Sequence, residues 1–309
     1  MTGAAGEGGG TRQCGMTRHR ALPPPIDQRP FTVAEAHLLG VGEGRLRGRD
    51  LIRPFHGVRA AESATLLERA RAYAARMPPT QHFSHWTAAA LLNLPLPRAD
   101  ADLHVTAIAP SRTPRIRGVV GHSATSPTVS TARGLRVSSP IQTWVEMSTV
   151  LGHRALVVMG DALVRRQHPI ATIEQLAEAV AHHRGQRGAV ALTAAFARVR
   201  ARTDSVRETL LRLAIVDFGL PEPEVNIKIL NAEGRFLAWA DLGYPRYRVI
   251  AEYDGEQHRT DEKQFYRDVD RLDDLAEERW RVVRFNRSHV TIERLHRLRR
   301  ALVAAGWRP

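Results

Sequence analysis

Hydrophobic positions change period several times along this chain, and the changes divide it into elements. Thr32 followed by Glu35 is a capping box that opens a short helix over V-A-E-A-H-L-L. Gly40 then turns the chain, and 42–48 (GEGRLRG) reads as a second short helix. The stretch R-D-L-I-R-P-F-H-G-V-R follows with β-type residues around Pro54 and Gly57. Residues 63–78 have the apolar stripe of an amphipathic helix. A further helix begins after Ser84 as N-cap and stops before Pro95. Between 102 and 138, polar and β-branched residues alternate, the period of strands. Ser139-Pro140 opens a helical pattern that runs to 166, 172–183 begins another, and 184–204 reads as a basic helix.

The last third is the most regular. Ser205 to Glu208 is a second capping box, and Gly219 with Pro221 ends the helix it starts. V-N-I-K-I-L, R-F-L-A-W-A-D and Y-R-V-I-A-E-Y-D each alternate as strands, separated by turns at 231–234 and 243–245. An amphipathic helix is predicted over 261–278, with Phe265, Val269, Leu272 and Leu275 as its apolar stripe. W-R-V-V-R-F is a final strand and 289–304 a final helix, giving the order α-β-β-β-α-β-α. The chain is therefore of the α/β (α+β) class. The expected segments are a disordered leader (1–29), a winged helix-turn-helix-like segment (30–62), a mixed α/β region (63–202) and the α-β-β-β-α-β-α domain (203–309).

Charge sharpens this division. The formal net charge is +13 over 309 residues. Residues 1–202 hold 26 Arg and no Lys against 13 acidic residues, whereas 203–309 hold 19 basic against 19 acidic. A strongly basic chain favours an anionic partner, with nucleic acid first. Arg45, Arg47, Arg49 and Arg53 in the winged segment are the candidate phosphate contacts. Cys14 is the single cysteine, so no disulfide framework or cysteine zinc site forms within one chain. That usage, the lack of an apolar run of membrane length and the Gly-rich start point to a cytoplasmic protein that does not enter a membrane. Histidines 82, 85, 104, 122, 153, 168, 182 and 183 are scattered, without metal-ligand spacing. Ser84 beside His85 reads as a helix cap rather than a catalytic pair, because neighbours in a helix do not face each other.

Chemistry concentrates in the acidic third. Residues two apart in a strand share a face, so Glu252 and Asp254 point the same way. Asp241 ends the preceding strand across a short turn, where a hairpin brings it beside Glu252. Carboxylates gathered this closely repel unless a cation joins them, and all-oxygen ligation selects Mg²⁺ or Mn²⁺. Arg271 is expected to pair with Asp268 or another carboxylate of its own helix, and Phe236 and Trp239 to be core or strand residues.

Asp241, E-Y-D-G-E-Q-H at 252–258, the helix carrying Asp268 and Arg271, and W-R-V-V-R-F together resemble the very-short-patch-repair-like endonuclease group of the PD-(D/E)XK superfamily, over roughly 203–300. The resemblance implies a restriction-endonuclease-like domain, a central mixed sheet flanked by helices. It implies Asp241 and Glu252 as metal ligands, Glu208 supporting them from the first helix, and His258 at the edge of the site. Asp254 stands where the superfamily usually has lysine, and would add a third metal ligand. The N-terminal two-thirds, with S-H-W-T-A-A-A-L-L-N-L-P, L-H-V-T and S-S-P-I-Q-T, resembles AbiEi-type antitoxins and regulators. The expected function is thus a Mg²⁺-dependent DNA endonuclease with an N-terminal DNA-binding region. The alternative is a catalytically inactive DNA-binding regulator or antitoxin with a protein toxin as partner.

Overall fold

Short elements joined by capped turns build two compact units, residues up to 78 and residues from 79 onward. The computed structural model describes residues 20–61, 63–253, 271–285 and 291–308. In the first unit, β1 (Phe31–Thr32) leads directly into α1 (Val33–Leu38), whose N-cap Thr32 accepts from Glu35 N. Gly40, at φ +73°, turns the chain into α2 (Glu43–Leu46). β2 (Val58–Arg59) pairs antiparallel with β1, and Ile52 bridges Ala60 beside it. α3 (Leu66–Ala74) closes the unit, with a complete capping box between Thr65 and Glu68. Phe55 meets Tyr73 edge-on at 5.3 Å.

Two expected boundaries fall inside this unit. Ile26 is buried with Phe31, Ala36, Val41 and Leu46, so the packed chain begins before Pro30. α3, expected to open the next region, packs against β2.

The second unit contains two sheets. β3 (Gln81–Phe83) precedes α4 (His85–Leu91). β4 (Leu103–Ile108), β5 (Val119–Ala124), β6 (Val129–Ala132) and β7 (Leu135–Ser138) complete a five-stranded sheet in the order β5-β4-β3-β7-β6. β3 lay outside the predicted strands; its three residues are too few for an alternation to register, and all three are buried.

Helices α5 (Pro140–Met147), α6 (His153–Leu163), α7 (Ile173–His182) and α8 (Ala189–Phe196) follow. The pattern read as one helix over 140–166 is two, because Gly152 takes an extended conformation and caps α6. The basic stretch 184–204 is helical only at α8. Gly188 has φ +92°, and a Cβ there would lie 2.3 Å from Ser148 Oγ.

α9 (Val206–Asp217), β8 (Glu224–Leu230) and β9 (Phe236–Tyr244) come next, followed by a 3₁₀ turn at Pro245–Tyr247. β10 (Val249–Tyr253), the helical residues 271–277 (α10), β11 (Arg281–Phe285) and α11 (Ile292–Ala304) end the chain. The observed order is mixed α/β, with a second sheet running β11-β10-β9-β8. β10 pairs parallel with β11, and the other two pairings are antiparallel. One side of this sheet buries Leu242, Tyr244, Val249 and Ala251 with residues of α9 and α11. Ile227, Ile250 and Leu275 of α10 meet in a separate cluster.

The expected boundary near 203 is crossed by buried structure. Arg212 on α9 is fully buried and pairs with Asp161 on α6 at 2.9 Å. Leu213 belongs to the same apolar core as Trp144, Leu156 and Leu192. Among the described residues, no helix is long and apolar enough to cross a membrane.

Candidate active site

The acidic site is built by strand register. Ala251 pairs with Leu242, so one step further Glu252 comes beside Asp241. On the other side of β9, the pairs Val225–Leu242 and Ile227–Ala240 flank Asn226 and Asp241. On β11, Arg284 pairs with Glu252. Directly opposed residues on neighbouring strands share a face. The sheet therefore carries a row of Asp241, Glu252 and Arg284, with Asn226 at its β8 end, where a φ of +49° breaks the regular alternation.

α9 adds a third carboxyl. Glu208 sits in its first turn, behind the cap in which Ser205 Oγ accepts from Glu208 N at 3.1 Å. Its carboxylate does not return to the Ser205 backbone as a capping box would. It accepts from Asp204 N at 2.9 Å and from Asn226 Nδ2 at 3.4 Å. The side chain is thus turned toward the sheet. Burial raises the pKa of Glu208, and the nearby Asp241 charge raises it further against the lowering effect of the Asp204 N–H. Burial likewise raises Asp241, partly offset by the Tyr253 N–H and by Arg271. Glu252 is raised by burial, lowered by Arg271 and raised again by Asp241.

Arg271 departs from its expected place. Its guanidinium donates to Glu252 and, at 3.2 Å, to the carbonyl of Trp239. The helix α10 thus delivers a cation onto the acidic row instead of pairing along itself. Trp239 and Phe236 are strand residues of β9, as expected, with rings 42% and 47% exposed. Arg166 stacks over Trp239 at 5.2 Å, and Lys228 lies 5.9 Å from the centre of Phe236. Arg166 is fixed there by Asp204.

The donor set of Asp241 and Glu252 is oxygen only, the chemistry a hard divalent cation takes, although Arg271 already sits on Glu252. Among the described residues, the oxygens of Glu208, Asp241 and Glu252 do not all come within 4.8 Å of one another. Asp254 and His258 lie outside the described residues, as does Asp268.

In the first unit, Arg47, Arg49 and Arg53 are exposed. Arg45 is not a free surface cation. It binds Asp50 with both terminal nitrogens, at 3.0 and 2.7 Å, and also reaches the carbonyl of Arg20. Its side chain is 13% exposed, against 72% for Arg47.

The chain is similar to two proteins of Mycobacterium tuberculosis, from strains CDC 1551 / Oshkosh and ATCC 25618 / H37Rv, both described as uncharacterized. Each is 29% identical over 240 residues, 77% of this chain and 86% of theirs. No family model and no solved structure matches it.

One grouping escaped the sequence. His85, His104 and His122, without metal-ligand spacing along the chain, bring one ring nitrogen each within 4.8 Å of the others. The available signal was alternation: His104 and Thr106 are two apart in a strand, as are Val120 and His122 in the next.

Proposed function

We propose that this chain is a metal-dependent DNA endonuclease, with Asp241 and Glu252 holding the ion and the first unit binding DNA. The observation that carries this reading is the approach of Asp241 on β9 to Glu252 on β10, one step beyond the Ala251–Leu242 pair, with the pKa of each carboxyl raised by burial. A bound Mg²⁺ or Mn²⁺ would supply Lewis-acid polarisation of a phosphoryl oxygen and a water activated for attack. Glu208 supports the pair from α9, and Asn226 orients Glu208. Arg271 pairs with Glu252, and a cation bound by Glu252 would free its guanidinium for a phosphate. Trp239 and Phe236 offer flat faces to bases, with Arg166 and Lys228 beside them for the backbone. Arg47, Arg49 and Arg53 supply phosphate contacts in the first unit, while Arg45 holds the α2 turn against Asp50.

The test is incubation of purified protein with supercoiled and linear DNA in Mg²⁺ or Mn²⁺. Cleavage should fall at least about 100-fold in Glu252→Ala, since even loss of a group behind a metal ligand costs 10–100-fold. Cleavage that survives this substitution rejects the assignment.

A second reading is favoured by Arg271. A guanidinium already seated on Glu252, with aspartate at the position of the usual lysine, suits a DNA-binding regulator or antitoxin that does not cleave and that contacts a protein toxin. DNA binding without cleavage in either metal selects this reading over the first.

A further inference from the structure

Four histidines meet on one face of the five-stranded sheet. His82 on β3 stands opposite Thr106 on β4, and Thr106 stands beside His122 on β5. His104, two residues before Thr106, faces the same way. His85 enters from the first turn of α4 at φ +48°, a left-handed conformation that is costly for a residue with a side chain and recurs at functional sites.

The imidazoles of His85, His104 and His122 converge. His104 Nδ1 and His122 Nε2 lie 3.0 Å apart, and the rings of His85 and His122 stack at 3.7 Å. Two nitrogen ligands at 2.0–2.1 Å in a tetrahedral shell are separated by about 3.3 Å, close to this spacing. Carboxylates stand behind two of the rings, just beyond hydrogen-bond distance. Asp100 lies 3.6 Å from His104 Nε2, and Glu146 lies 3.7 Å from His85 Nδ1, with Ser84 Oγ at 3.0 Å from the same atom. A carboxylate behind an imidazole is the usual support of a metal-binding histidine.

A second observation is independent of the convergence. His82 is 1% exposed, yet neither ring nitrogen has a hydrogen-bond partner among the described residues, and Thr106 Oγ1 has none either. Buried polar groups in native proteins are paired, so two orphans beside three convergent imidazoles point to a missing ligand. A cavity of about 970 Å³ opens onto the same place, lined by His85, Thr106, His122 and Glu146.

We propose that His85, His104 and His122 bind a divalent transition metal of the zinc class, whose remaining coordination position faces the cavity and takes water or an oxygen-donor anion. Three nitrogen donors exclude Mg²⁺ and Ca²⁺, which require oxygen. This site is separate in residues and in metal from the carboxylate row on the other sheet.

The test uses untagged full-length protein stripped with a chelator, then titrated with Zn²⁺ and, separately, with Co²⁺. One ion per chain should bind, with the intense visible bands of four-coordinate Co²⁺ and a raised Tm. His122→Asn and His104→Asn should each weaken binding at least about 100-fold, more than loss of a supporting group costs. His182→Ala, in the same cavity wall, should leave binding intact. Absence of a stoichiometric ion in the wild type, a six-coordinate Co²⁺ spectrum, or full affinity in His122→Asn would overturn the proposal. Should His104→Asn fail to fold, the wild-type spectrum and His122→Asn decide it.

Discussion

Asp241 illustrates the conflict a cation site builds into a fold. Its carboxyl is pushed up by burial, so the charged form weakens the metal-free protein once pH exceeds its folded pKa. Asp241→Asn removes that charge while keeping the shape. The variant should melt roughly 2–4 °C higher at pH 7 in chelator, the shift from about 1 kcal/mol in a unit of this size, while losing metal-dependent activity. Mg²⁺ should raise the Tm of the wild type and not that of the variant. The histidines have the opposite sign. His82 and His122 are held near pKa 4 and His85 near 3, below the unfolded value of about 6.5. Their contribution to stability is complete above about pH 6.5 and is lost as pH falls through the folded values. Urea midpoints of metal-free protein should therefore drop between pH 6.5 and 4, and His122→Gln should flatten that drop. At this scale the sequence is unevenly legible. Asp241 and Glu252 stood out because strand alternation and a tight turn fix neighbours locally. Ser84 stands at the N-cap of α4 as its sequence predicts, but its hydroxyl lies 3.0 Å from His85 Nδ1 instead of capping an N–H. The left-handed φ of His85 brings adjacent side chains together, and no spacing rule contains that angle.

α9 links the two halves of the second unit. Glu208 and Arg212 are four residues apart and so share a helix face. Glu208 turns toward the acidic row, while Arg212 binds Asp161, Glu222 and the carbonyl of Arg198. Asp161 also accepts from Thr209 Oγ1 and Arg200 N. Removing one partner of a buried pair strands the other, at a cost of about 3–5 kcal/mol. Arg212→Met should lower chemical stability by that amount in denaturant titration, and lower any activity of the acidic site with it. A variant as stable as wild type would show that the network is not what fixes α9. The helix was predictable from its cap and its Gly-Pro stop. Its burial was not, since a charged residue at position 212 reads as a surface residue until Asp161, some fifty positions earlier, is placed beside it.

Across the molecule the basic excess is distributed over both units; in the first, Arg47, Arg49 and Arg53 are exposed, Arg47 at 4.0 Å from Glu43, whereas Arg45 is tied to Asp50. Each phosphate contact contributes close to one unit of slope in log affinity against log salt. Full-length protein with Arg47, Arg49 and Arg53 changed to Ala should bind DNA with a slope smaller by about 3, while Arg45→Ala should act through stability instead. An unchanged slope in the triple variant would remove the first unit from the DNA interface. A fragment starting at 203 is no substitute for this experiment, because it would expose Arg212 and Leu213.

Hydrophobic period, caps and glycine stops are local, and they were enough to determine the α/β class, most of the elements and the nearness of Asp241 to Glu252. Where the units divide, which arginines are exposed, why Arg271 sits on Glu252 and which histidines meet were decided by packing. Those features depend on chain segments tens of residues apart, brought together by burial of apolar surface, and no short-range pattern in a sequence records which segments will meet.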